Sequence, residues 1–237
     1  MAYGDLPGVR AEIPATAAAT LEAYVENYLE EEIRREALAR DTGAFLSFLG
    51  VAALESGRQT NLAKLSQESG VPASTLRNYY QVLEDTFAGH FMRCYSRSGR
   101  KRVLTTPRFY FFDLGVRNAA ARLPWDAILS SETCGRLFEH WVALELIHRA
   151  GYAGRTYSVS FWRTVGGAEV DFVWEGPDED VPIEAKWTDN PASRDIRHLE
   201  SFLNLYPPRA RRGLLVCRVE QPRQLSDRVM AIPWHAL

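Results

Sequence analysis

Apolar residues recur at two different spacings along this chain, and the change of period marks its organisation. From Thr20 to Arg40, Leu21, Tyr24, Val25, Tyr28, Leu29 and Ile33 recur at helical intervals, with Glu22, Glu26, Glu30, Glu31 and Glu36 on the opposite face. The spacing predicts an amphipathic helix whose acidic face is either solvated or docks a basic partner. Asp41 or Thr42 can cap a second helix running to about Glu55. Asn61 can cap a short helix through Glu68, Gly70 makes a turn, and Pro72 suits the start of the next helix. There Leu76, Tyr79 or Tyr80, and Leu83 face inward, which leaves Ser74, Arg77, Asn78 and Gln81 facing out. Asn61–Asp85 therefore reads as a helix-turn-helix. Phe91–Tyr95 and Phe109–Phe112 read as strands, and Asp113–Leu123 as a short helix before a break at Pro124-Trp125. Residues 1–125 are thus expected to form a helical, winged-helix domain.

Residues 126–237 change character. Gly135–Arg149 reads as a helix, and Gly154–Trp162, Gly167–Trp174 and Val181–Trp187 as three strands. Ser193 can cap a helix to about Asn204, and Leu214–Val219 and Arg228–Ile232 read as apolar strands. The order α-β-β-β-α-β predicts an α/β (α+β) domain. Side chains alternate faces along a strand, so Glu184 and Lys186 share one face, and Glu169 and Asp171 project together opposite Val170 and Phe172. Acids and a lysine meeting between apolar flanks are costly unless they pair with each other or bind something. Two readings stay open: a structural ion pair across the hairpin, or a cation site. In the second, two carboxylates and the Ala185 carbonyl offer the oxygens that Mg²⁺ or Mn²⁺ prefers, and Lys186 orients or deprotonates water or stabilises phosphate charge. Lysine occurs only at positions 64, 101 and 186, in a chain that otherwise uses arginine, which sets Lys186 apart. Glu139 precedes Val142, Ala143 and Leu146 on one helical stripe, so its carboxylate is expected to point toward the sheet.

A net charge of −2 does not announce a nucleic-acid partner, so any such binding must come from local patches. The strongest spans Arg97, Arg100, Lys101, Arg102 and Arg108, a window without an acid. On a wing it would lie beside phosphates, while Arg77, Asn78 and Gln81 suit base edges in a major groove. Alternatively the patch docks the acidic face of Thr20–Arg40, in this chain or in a second copy, which would make a homo-oligomer. Cys94, Cys134 and Cys217 lack paired spacing, which argues against a zinc cage or disulfide scaffold and favours the cytoplasm. No apolar run is long enough to span a membrane, and no signal peptide is legible.

Asp171 and Glu184-Ala185-Lys186, after a helix carrying Phe138-Glu139, resemble the PD-(D/E)xK nuclease-like fold. With Phe161-Trp162-Arg163-Thr164 and Gly167–Phe172, they resemble the C-terminal region of a family of prokaryotic AAA-type ATPases. The resemblance covers nearly the whole chain. It implies a winged helix followed by a restriction-endonuclease-like domain. It also implies DNA as partner and a Mg²⁺-dependent phosphodiesterase site with Asp171, Glu184 and Glu139 at the metal and Lys186 at the attacking water. In that family an ATPase module precedes these domains. Tyr3–Val9 resembles the segment that ends that module, and no Gly-Lys dipeptide occurs, so no ATP site of the P-loop kind is expected here and the ATPase would be a partner or a missing part. The alternative is a catalytically silent module for DNA binding or protein interaction.

Overall fold

A computed structural model describes residues 2–29, 42–96, 106–125 and 131–237. They divide into two compact units. The first comprises the described residues up to Phe91 and from Pro107 to Leu137; the second comprises those from Met92 to Thr106 and Phe138–Leu237.

In the first unit, α1 (Pro7–Arg10) and α2 (Pro14–Ala23) lead into a π-helical stretch, Tyr24–Leu29. The amphipathic helix expected from Thr20 thus begins earlier, at Pro14, whose fixed φ suits a first turn. Its continuation through Glu30, Glu31, Ile33 and Glu36, and the cap at Asp41, lie outside the described residues. Next come α3 (Thr42–Leu54), α4 (Leu62–Ser69) and α5 (Ala73–Asp85). The Asn61 side chain caps α4 by accepting the Lys64 N–H at 3.0 Å. Gly70 ends that helix at φ 71°, a conformation that favours glycine. Leu76, Tyr79, Tyr80, Val82 and Leu83 are buried along α5. Their rings interlock with α3 and β2 (Arg108–Phe111): Tyr80 meets Phe48 and Phe109 edge-on, each at 4.9 Å. Such pairs contribute about 0.5–1.5 kcal/mol each beyond the area they bury. Asp113 caps α6 (Leu114–Ala120) by accepting the Val116 N–H at 2.9 Å.

Strand β1 (Gly89–Cys94) begins in the first unit and ends in the second, and α7 (Ser131–Ala153) does the same. The second unit continues with β3 (Ser158–Arg163), β4 (Glu169–Glu175) and β5 (Asp180–Ala185). A 3-10 turn (Ser193–Ile196) precedes α8 (Arg197–Leu205), then β6 (Gly213–Cys217), β7 (Arg223–Gln224) and β8 (Val229–Pro233). The expected run of helix, three strands, helix and strand is present in that order. Within this unit the strands lie in the order β1-β3-β4-β5-β6-β8-β7. The β3–β4 and β4–β5 pairs are antiparallel, whereas β1–β3, β5–β6 and β6–β8 are parallel. Leu199, Phe202 and Leu203 of α8 share one buried cluster with Trp162, Val170 and Val173.

Two local expectations need correction. Ser193 does not cap the helix; the turn starts after Ala192, whose N–H goes to the Asp195 carboxylate at 2.9 Å. Asp180, which lies between the strands expected at Gly167–Trp174 and Val181–Trp187, instead opens β5 and is 5 % exposed. It accepts hydrogen bonds from the Tyr95 hydroxyl at 2.8 Å and the Arg209 guanidinium at 2.9 Å, so its charge is paired where water is scarce.

Candidate functional site

Asp171 and Glu184 come from neighbouring strands, and a β-bulge sets how they meet. On β3, Ser160 pairs with Val173 and Trp162 with Val170. Two residues, Asp171 and Phe172, therefore face one, Phe161. The extra residue breaks strict alternation, which is why Val170 and Val173, three positions apart, enter the same core cluster. The sequence-based face assignment holds from Glu169 to Asp171 and slips by one residue beyond it. On the other side of β4, regular pairing with β5 runs as far as Phe172–Ile183. Beyond that point the Asp171 carboxylate accepts the Ala185 N–H at 3.0 Å. Across β5, the Lys186 N–H donates to Val216 O at 2.9 Å and continues the ladder one step past the strand.

The electrostatics centre on Glu184. Burial, then the neighbouring Asp171 carboxylate, push its carboxyl up to about 9; Glu139 adds a smaller push, and Lys186 and a backbone hydrogen bond at Asp171 oppose it. One oxygen of Glu184, Oε2, is buried without a hydrogen-bond partner. Asp171, Lys186 and Glu139 thus all act on the Glu184 carboxylate, Lys186 from an exposed position and Glu139 from a half-buried one on α7. Glu169, on the same strand as Asp171, has its carboxylate 3.6 Å from Arg163. Among the described residues no group of three or more His, Cys, Asp or Glu side chains is gathered closely enough to hold a metal ion. The pair Asp171–Glu184 still fits a hard cation in donor chemistry. Mg²⁺ usually takes one or two carboxylates and keeps several waters, and the bare Oε2 is an oxygen without a proton donor.

Sequence reasoning gave no role to Trp187. Its ring lies 5.3 Å from Phe138 of α7, and the Arg218 guanidinium stacks over it at 4.6 Å. Trp187 therefore anchors the backbone just after Lys186. Its adjacency to Glu184-Ala185-Lys186 was the available signal.

On α5, Arg77, Asn78 and Gln81 are exposed, as expected. Gln81 is already engaged, donating to Asp85 Oδ1 at 2.9 Å. Arg97, Arg100, Lys101 and Arg102 lie outside the described residues. Arg108 does not lie on an exposed wing: it is 5 % exposed, with Nη1 3.4 Å from the Tyr110 hydroxyl. A strand in which all four residues are buried draws its first side chain inward as well. The cysteines Cys94, Cys134 and Cys217 are free and buried. No helix among the described residues is long and apolar enough to cross a membrane.

The second part of the chain, residues 134–237, matches a family model described as a domain of unknown function, DUF4143, which is commonly seen in AAA-ATPase-associated proteins. Residues 1–127 match the model of a second domain of unknown function, DUF8612, and the chain belongs to that family. No curated protein matches the chain.

Proposed function

We propose that the second unit is a metal-dependent phosphodiesterase of the PD-(D/E)xK, restriction-endonuclease-like kind, acting on DNA. The observation that carries the reading is the pairing of Asp171 with a half-buried Glu184 whose Oε2 is buried and has no hydrogen-bond partner. Two carboxylates so placed disfavour joint ionisation and are relieved by a cation. Asp171 and Glu184 would hold Mg²⁺ or Mn²⁺, with Glu139 reaching it through water. A bound divalent ion supplies Lewis-acid stabilisation of phosphate charge and lowers the pKa of a coordinated water. Lys186, exposed at the rim, orients the attacking water and stabilises charge on the phosphate. Trp187 holds the Lys186 backbone in place through Phe138 and Arg218. The first unit would add sequence-tolerant or base contacts through Arg77 and Asn78 of α5. An ATPase partner is the context in which DUF4143 domains commonly occur.

The test is plasmid nicking with Mg²⁺ or Mn²⁺, read beside thermal melting. Asp171→Asn should abolish both cleavage and the metal-dependent rise in Tm. Lys186→Ala should abolish cleavage and keep the rise, because a protonated lysine offers no lone pair to a metal. A second reading, a catalytically silent regulatory module, is favoured by the Asp171 carboxylate already accepting the Ala185 N–H. It expects no metal-dependent rise in the wild type.

A further inference from the structure

The second unit contains a cleft of about 960 Å³, lined by none of Glu139, Asp171, Glu184 and Lys186. That volume lies near the upper end of the range for ligand sites, ~300–1,000 Å³. Leu146 of α7, Ile183 of β5 and Leu214 of β6 contribute apolar surface to it. Tyr157 and Trp174 form a wall of two rings 5.5 Å apart and tilted by 44°. At Gly176 a Cβ would stand 3.2 Å from the Glu179 carbonyl oxygen and 3.3 Å from the Tyr157 ring, so the backbone packs closely against that wall. Tyr152, near the end of α7, also lines the cleft and is 91 % exposed, an aromatic ring left in water at its mouth.

Charge narrows the choice of occupant. Three arginines border the cleft: Arg149, Arg211 and Arg212. Glu179 holds Arg212 at 2.6 Å, and Glu145 lies 3.6 Å from Arg149. Arg211 is exposed and makes no ion pair with a described residue. A purely apolar ligand would leave this cation unused, and an acidic peptide would leave the ring faces unused. Ring faces beside guanidinium groups suit a ligand with flat bases and a phosphate backbone. We infer that this cleft binds a segment of single-stranded nucleic acid, its bases stacked on Tyr152, Tyr157 and Trp174 and its phosphates met by Arg211 and Arg149. The site is separate from the carboxylate pair and does not depend on hydrolysis there.

The experiment uses the full chain and a fluorescein-labelled oligothymidylate, with anisotropy and tryptophan fluorescence read in EDTA. EDTA keeps the outcome independent of cleavage, so failure of this site and failure of the phosphodiesterase reading are distinguishable. Binding should quench tryptophan fluorescence. Tyr152→Ala should weaken it roughly five- to a hundred-fold, the loss typical of one stacked base. Arg211→Ala should lower the slope of log affinity against log salt by about 0.7, one single-strand phosphate contact. Both side chains are exposed, so the melting temperature of each variant should match the wild type. Wild-type affinity in Tyr152→Ala, or an unchanged salt slope in Arg211→Ala, overturns the assignment. So does thymidine monophosphate competing as well as the strand at equal nucleotide concentration.

Discussion

Replacing Glu184 with glutamine should stabilise the protein, and by more as the pH rises. The folded chain lifts this carboxyl from its ordinary 4.5 to about 9, chiefly through burial and the Asp171 charge. Below pH 4.5 the group is protonated whether the chain is folded or not, and its setting costs little. Between 4.5 and about 9, folding takes up a proton, so stability falls as the pH rises, by about 1.4 kcal/mol per unit. Above about 9 the loss levels off. At pH 7 this amounts to about 3 kcal/mol. Glutamine keeps the shape of the side chain and stays neutral, so it escapes the loss. At ~2–4 °C per kcal/mol for a chain of this size, the variant should melt roughly 6–12 °C above the wild type at pH 7 and close to it at pH 5. Thermal melts followed by circular dichroism in EDTA from pH 5 to 8 measure the difference. Adding Mg²⁺ should narrow the gap, because a cation stabilises the ionised wild-type carboxylate and releases its proton. Equal melting temperatures at pH 7, or a difference that does not grow with pH, would refute the electrostatic account of Glu184.

Two other substitutions probe the packing that surrounds these features. Asp180→Ala removes the acceptor shared by Tyr95 and Arg209 and should cost about 3 kcal/mol in urea unfolding, whereas Tyr95→Phe should cost about 1 kcal/mol. In the first unit, Gly89→Ala would set a Cβ 2.7 Å from the Tyr110 carbonyl oxygen and against the Phe109 ring, so its midpoint should fall clearly, whereas Gly135→Ala, where nothing lies within 4 Å, should leave it unchanged or higher.

What the sequence made legible is what neighbouring residues decide. Asn61 and Gly70 bracket α4 through contacts no more than four residues away. The grouping of Asp171, Glu184 and Lys186 follows from a hairpin whose strands are adjacent in the chain. What stayed hidden depends on partners chosen by the fold. The bulge at Asp171–Phe172 exists only relative to β3, so a strict two-residue period carried the faces of β4 one step wrong past Asp171. Tyr95 finds Asp180 eighty-five positions away, and an acid at the end of Asp178-Glu179-Asp180 looks like a turn until Arg209 closes over it. Arg108 carries a charge that placed it outside, but it opens a fully buried strand. β7 is two exposed residues long and has no apolar pattern to read.

Strand β1 has a practical consequence for dissecting this chain. The two family models meet between residues 127 and 134, which invites expression of the second half alone. Yet Arg93 and Cys94 pair with Ser160 and Phe161, and the Tyr95 N–H donates to Phe161 O. A fragment that begins after residue 127 would lack that strand. Its β3 would become a bare border with open backbone donors and acceptors, a template for the same border of another copy. Such a fragment would be prone to self-association through a surface the intact protein does not expose. Its poor solubility would then report a severed sheet rather than any weakness of the fold, and extending it back to include Gly89–Tyr95, or supplying that segment as a peptide, is the remedy the pairing indicates.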